Sequence, residues 1–62
     1  ATMSYELRLK VGKETYRFLD IYVNLATAKR HADAIRQSLL YDGRARMEIH
    51  DVTGRNSVRV KE

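Results

Sequence analysis

The chain has 62 residues, 44% of them hydrophobic and 32% charged, a composition typical of one folded domain rather than of a disordered segment. Twelve Lys and Arg residues against eight Asp and Glu give a formal charge of +4. Cys is absent, which excludes disulfides and thiolate metal sites, and no apolar run approaches the ~20 residues of a membrane-spanning helix. We expect a single domain over residues 1–62 in the cytoplasm, without membrane association, and interpret the two residues before Met3 as a cloning remnant.

The first predicted element is a β-hairpin. Apolar residues occupy alternate positions of its first strand, at Tyr5, Leu7, Leu9 and Val11. A two-residue type II′ turn at positions 12–13 fits the positive φ that Gly12 adopts at little cost. This turn pairs Leu9 with Tyr16 and Leu7 with Phe18, so the apolar residues of both strands share one face.

A helix is predicted next. Its apolar stripe follows spacings of three and four residues, at Leu25, Ala28, Ala32, Ile35 and Leu39. Asn24 is a suitable N-cap, and Gly43 stands where a left-handed residue would end the helix.

The last predicted element is a second hairpin. Its strands carry Ala45, Met47 and Ile49, then Val58 and Val60, at alternate positions. A two-residue turn at 53–54 would pair Ile49 with Val58 and Met47 with Val60. A longer loop, from 51 to 56, would keep the same residues on the same face. Together the elements predict an α+β fold, a small ββαββ domain with antiparallel hairpins and one helix packed on one sheet face.

Catalysis is not favoured by this arrangement. The available nucleophiles are Ser4, Ser38 and Ser57, and the available bases are His31 and His50. The predicted register places His50 opposite Ser57, but on a flat sheet face without a pocket that would exclude water. The acidic residues and the two His form no cluster with metal-ligand spacing. We therefore expect a protein that is not an enzyme, with no cofactor and no metal.

The charge distribution is the main functional signal. The segment 20–43 holds three basic and three acidic residues, so the entire net charge comes from the two hairpins. The predicted registers gather basic residues on the face opposite the apolar one, at Arg8, Lys10, Arg17, Arg46, Arg55, Arg59 and Lys61, against Glu6 and Glu48. Arg8 would lie across from Arg17, and Arg46 across from Lys61. Like charges paired across strands are destabilising unless an anion compensates them.

Three interpretations of this face are open: an ordinary solvated surface, a nucleic-acid-binding surface and a surface for an acidic protein. Tyr5, Tyr16 and Phe18 are all predicted to point inward, so the face lacks aromatic side chains on which single-stranded bases could stack. We therefore predict a binding module that contacts duplex nucleic acid, mainly at phosphates. In architecture alone, the layout resembles the small sheet-plus-helix DNA-binding domains of some transposon integrases, which implies a sheet lying in the major groove. It also resembles several small ββαββ families of bacteria and phages.

The apolar segment 19–23 predicts a different function. In an unbroken strand Leu19 and Ile21 would point away from the core. A bulge or an early strand end would turn them inward. Otherwise they form an exposed apolar edge, and the alternative function is a small protein-interaction module, such as a phage-type regulator that docks on a larger protein. A homodimer through this edge is a further alternative.

Overall fold

The residues that the structure describes form a four-stranded antiparallel sheet with one helix packed on it. The computed structural model describes residues 3–38 and 45–62. Strands β1 (Tyr5–Val11) and β2 (Glu14–Tyr22) precede helix α1 (Leu25–Ser38), which is followed by β3 (Ala45–Asp51) and β4 (Val58–Arg59). The strand order is β2-β1-β3-β4, so the two hairpins join into one sheet through β1 and β3. The predicted α+β class and ββαββ order are confirmed.

The first turn forms as predicted. Leu9 pairs with Tyr16 and Arg8 with Arg17. Gly12 has a φ of 60° and is the residue with positive φ in the turn, which matches a type II′ hairpin.

We expect Gly12→Ala to destabilise the protein by about 1 kcal/mol, because an L-residue is strained at positive φ. A Cβ at position 12 would meet no atom within 4 Å, so the effect would be conformational and not steric. Urea denaturation measures it, with Gly54→Ala as the control. Gly54 has an ordinary φ and equally open surroundings, so its substitution should be neutral or slightly stabilising. Equal losses in the two variants would contradict the turn assignment.

A bulge interrupts the pairing of β2 with β1. Arg8 pairs with Arg17 but Glu6 pairs with Ile21, so residues 18–20 stand against Leu7 alone. Phe18 packs against the core. The predicted pairing of Leu7 with Phe18 does not form, because Leu7 lies opposite the bulge. The prediction that a bulge would turn Leu19 and Ile21 inward is wrong. The bulge adds two residues, and two residues restore the alternation of faces that one residue would have reversed.

The second hairpin has a longer loop than the predicted turn at 53–54. His50 pairs with Arg59 and Asp51 with Val58, and residues 52–57 form the loop. The predicted partners of Ile49 and Met47 are therefore each displaced by two residues. The chain cannot turn at 53–54 because the Val52 amide donates to the Ser4 carbonyl (2.9 Å) and the Thr53 hydroxyl accepts from the Ser4 amide (2.8 Å). The apolar face is unchanged, as expected for a loop that differs by an even number of residues.

Helix α1 begins at the predicted cap. The Asn24 side-chain oxygen accepts from the amides of Ala26 (2.8 Å) and Thr27 (3.4 Å). Ala28 and Ala32 are fully buried, which lets the helix backbone lie close to the sheet. The predicted stripe residue Leu39 and the predicted terminator Gly43 lie outside the described residues.

The core between helix and sheet is small. Its buried hydrophobic residues are Tyr5, Leu7, Ala28, Ala32, Met47 and Ile49. In the described part of the chain, only Leu7 and Ile49 are both large and fully buried. A chain of this length buries only ~60% of its unfolded surface, so each large core residue carries a substantial share of the stability.

Arg36 connects the helix to β3 through a hydrogen bond to the β3 backbone. Its guanidinium donates to the Met47 carbonyl (2.9 Å), to Glu62 and to Asp33 (2.7 Å). The Glu62 carboxylate raises the pKa of Arg36. The contact satisfies a β3 carbonyl beyond the short β4.

Candidate functional site

The predicted cationic residues lie mainly on the sheet face opposite α1, which we call the open face. Residues paired across an antiparallel ladder share a face. Arg8 is paired with Arg17 on one side and Glu48 on the other, Lys10 with Arg46, and His50 with Arg59. The open face therefore carries Arg8, Lys10, Arg17, Arg46 and Arg59, together with Glu6, Glu48 and His50.

The two remaining predicted cations are peripheral. Arg55 lies exposed in the 52–57 loop, and Lys61 lies exposed after the end of β4. The predicted position of Lys61 across from Arg46 is wrong, because the β3–β4 register is displaced by two residues.

Glu6 lies at the floor of the open face beneath two arginines and is only 5% exposed. Its carboxylate accepts from Arg8 Nε at 2.7 Å and from Arg17 Nε and Nη2 at 2.9 Å each. The Arg17 contact is bidentate, the strongest geometry for such a pair. The Arg17 hydrogen bonds outweigh the opposing effect of burial and, with Arg8, lower the pKa of Glu6 to about 2.

Glu48 occupies the equivalent position under the other half of the face and is 3% exposed. His50 Nε2 lies 3.0 Å, Arg59 Nη1 3.3 Å and Lys10 Nζ 3.7 Å from its carboxylate. Burial alone would raise the pKa of Glu48, but the hydrogen bond from His50 and the charges of Arg59 and Lys10 lower it overall. Each buried carboxylate is thus the anchor of its own set of cations.

The open face is layered by charge. The carboxylates form the floor, whereas the side chains of Arg17 and Arg59 are 65% and 61% exposed. Among the residues that the structure describes, five basic side chains of this face stand against two carboxylates, a formal net charge of +3 when His50 is left out of the count. A molecule that approaches this face meets guanidinium and ammonium groups before it meets any carboxylate.

His50 belongs to this network and not to a catalytic pair. The prediction that it faces Ser57 is wrong, because Arg59 occupies that position. Its Nδ1 lies 3.4 Å from Arg8 Nη1 while its Nε2 contacts Glu48, so both ring nitrogens are engaged. His31, the other base, lies on the helix, 3.0 Å from the Tyr22 hydroxyl. Residues 3–38 and 45–62 contain no group of three or more His, Asp or Glu that could hold a metal ion.

A second exposed feature lies on β2, which forms one edge of the sheet. Leu19 is 97% exposed, and Ile21 and Val23 are also exposed. We call these three residues the apolar edge. Ile21 pairs with Glu6 and so lies on the open face, beside the cationic residues.

Comparison of the chain with protein-family models, with curated proteins and with solved structures finds no match. Within the described ranges, no helix has both the length and the apolar character needed to cross a membrane.

Proposed function

We propose that this protein is a non-catalytic binding module whose open face contacts the phosphate backbone of duplex nucleic acid. The observation that supports it most directly is the charge layering: the two carboxylates are buried, whereas the side chains of Arg17 and Arg59, which contact them, project to solvent. Arginine is well suited to this role, because its planar guanidinium binds phosphate through paired N–H donors.

The donors that remain after the internal contacts allow this binding. Arg17 uses Nε and Nη2 to hold Glu6, which leaves three of its five N–H groups for another acceptor. Arg59 contacts Glu48 through Nη1 alone. The internal ion pairs therefore orient these side chains without using up their capacity.

A duplex is favoured over a single strand. Tyr5, Phe18 and Tyr22 pack in or against the core, and Tyr16 shares the helix-side face with Leu9. Among the described residues, no Phe or Tyr side chain is placed on the open face, and the ring of His50 is only 11% exposed, so the face offers little surface for base stacking. Contacts to phosphates need no such rings.

The repulsion between Arg8 and Arg17 is not an argument for an external anion. Both guanidinium groups bind Glu6, which supplies the compensating charge from within the molecule. The proposal depends instead on the excess of cations over the two carboxylates.

Duplex binding should weaken steeply with salt. If about three phosphates are neutralised, log affinity falls with log salt at a slope near −2.7, or roughly 40-fold between 50 and 200 mM. Fluorescence anisotropy with a labelled 20-base-pair DNA measures this, and the double variant Arg46→Gln/Arg59→Gln should reduce the slope by about 1.8. Its control is Lys29→Gln/Arg30→Gln on α1, which removes the same charge away from the open face.

The control variant should keep the slope of the unmodified protein. Absence of duplex binding at 50 mM salt, or equal weakening by the two double variants, would rule out the open face as the binding surface. Circular dichroism of each variant verifies that the fold is retained.

A second candidate function is protein association through the apolar edge. The observation in its favour is the near-complete exposure of Leu19, a residue whose burial would otherwise stabilise the fold. Four of the six exposed large hydrophobic residues among those described, Tyr16, Leu19, Ile21 and Val23, lie along β2 or directly after it. Such a concentration on one sheet edge is typical of an interaction site.

A further inference from the structure

We infer that the apolar edge binds a second copy of this chain, through antiparallel pairing of β2 with β2 about a two-fold axis. The inference rests on the second candidate function and names its partner. Strand β2 spans Glu14–Tyr22, nine residues, and within residues 3–38 and 45–62 its outer side has no neighbour in the sheet. Unpaired backbone groups along such an edge are a template for another strand.

Symmetry restricts the register of this pairing. Residues opposite each other in an antiparallel ladder share a face, so a two-fold axis through the ladder must pass beside one residue, which then faces its own copy. An axis at Arg17 or at Asp20 would set like charges against each other. An axis at Ile21 would pair only residues 20–22 and leave the other six residues of β2 unpaired, and an axis at Phe18 would place Leu19 opposite Arg17.

An axis at Leu19 avoids both the pairing of like charges and the loss of most of the strand pairing. It pairs residues 16–22, seven of the nine residues of β2, and places Leu19, the most exposed large hydrophobic residue described, against its own copy. Ile21 then faces Arg17 of the second copy and lies diagonal to its Leu19, so four apolar side chains form one cluster. On the other face Tyr16 meets Tyr22, a favourable aromatic pair.

The bulge in β2 does not prevent this pairing. A bulge on an edge strand commonly discourages association. This one keeps the alternation of faces because it adds two residues, and Leu19 lies at its centre. Arg17 and Ile21, which stand on either side of the bulge, therefore lie on the same face of the sheet.

The opposite edge of the sheet supports a closed dimer rather than a filament. Strand β4 has only two residues, and Arg36 already binds the β3 carbonyl of Met47 beyond it. When the chains associate through β2 alone, about a two-fold axis, the assembly is complete with two copies. The small core gives the association an energetic role, because a second copy adds buried apolar area that one chain of 62 residues lacks.

Sedimentation equilibrium without nucleic acid, from 1 to 500 µM protein, tests the inference. We expect a concentration-dependent rise from one to two chain masses, loss of the dimer in Leu19→Asp and retention of it in Val58→Asp. Val58 is a matched control because it is 62% exposed on the opposite edge strand. A chain that stays monomeric throughout, or equal loss of the dimer in both variants, would overturn the inference.

A cross-link tests the register directly. The chain has no Cys, so Leu19→Cys introduces a single thiol, which the two-fold axis would place against its copy. Mild oxidation at 100 µM should give mostly covalent dimer for Leu19→Cys and little for Val58→Cys. Comparable cross-linking of the two variants would show that only random collision is being measured. Because nucleic acid is absent, the outcome is independent of the duplex-binding proposal.

Discussion

Replacing Glu6 with Gln should destabilise the protein by ~1–2 kcal/mol at pH 7. The amide has one acceptor oxygen where the carboxylate has two, and its NH2 group would face the donors of Arg8 and Arg17. The change in the pKa of Glu6 from 4.5 to about 2 corresponds to at most ~3 kcal/mol. Solvent screening of Arg17 reduces this value, because that side chain is largely exposed.

The pH dependence provides a second readout of the same contact. The folded state holds the pKa of Glu6 below its unfolded value, so its contribution is complete above about pH 5 and is lost as the pH falls toward 2. Urea denaturation at several pH values should show the unmodified protein and Glu6→Gln converging in acid. Glu14→Gln, an exposed carboxylate of the same hairpin, serves as the control and should have little effect at any pH. A constant difference between the unmodified protein and Glu6→Gln from pH 7 to pH 2 would contradict the assigned role.

The largest loss of stability is expected for Leu7→Ala. Leu7 is fully buried at the centre of the core, beside Ile49 on the neighbouring strand. Truncation of a buried Leu costs about 2–5 kcal/mol, and a domain of this size has a total stability of roughly 3–9 kcal/mol. A large fraction of the variant should therefore be unfolded at 37 °C, which thermal denaturation by circular dichroism would detect.

Val58→Ala is the control for Leu7→Ala. Val58 is apolar but exposed on the edge strand β4, so its truncation should change the stability by no more than about 0.5 kcal/mol. If Leu7→Ala melted within a few degrees of Val58→Ala, the sheet would not be supported by the core described above.

The local features of this fold could be predicted from the sequence. Gly12 fixed the first turn, and through it the register that places Arg8 opposite Arg17. Asn24 identified the start of the helix. These signals lie within a few residues of the structure that they specify.

The features that could not be predicted depend on contacts between segments that are distant in the sequence. The second loop is set by hydrogen bonds between Ser4 and residues 52 and 53, almost 50 positions away in the chain, and no local pattern indicates them. The bulge could be anticipated from the parity of Leu19, but not the number of residues that it adds. The pairing of β1 with β3, which joins the hairpins, had no signal in either hairpin alone.

The burial of Glu6 and Glu48 was also not predicted from the sequence. They stand at alternate positions of strands otherwise rich in Arg and Lys, and this pattern located them on the open face. They are buried because long side chains cover them. Arg8 and Arg17 lie over Glu6, and Lys10 and Arg59 lie over Glu48. An isolated acidic residue among basic ones on a central strand is a signal that could have indicated such a role.

The anchoring of Arg8 and Arg17 by one carboxylate has a consequence for the thermodynamics of binding. A free arginine side chain loses rotamer freedom when it grips a ligand, and that loss costs about 1.5–2 kcal/mol of conformational entropy. Glu6 already holds both side chains in one conformation when the protein folds. An anion that docks on the open face would therefore meet a rigid array, and its association would be opposed by a smaller entropic term than on a surface of mobile side chains.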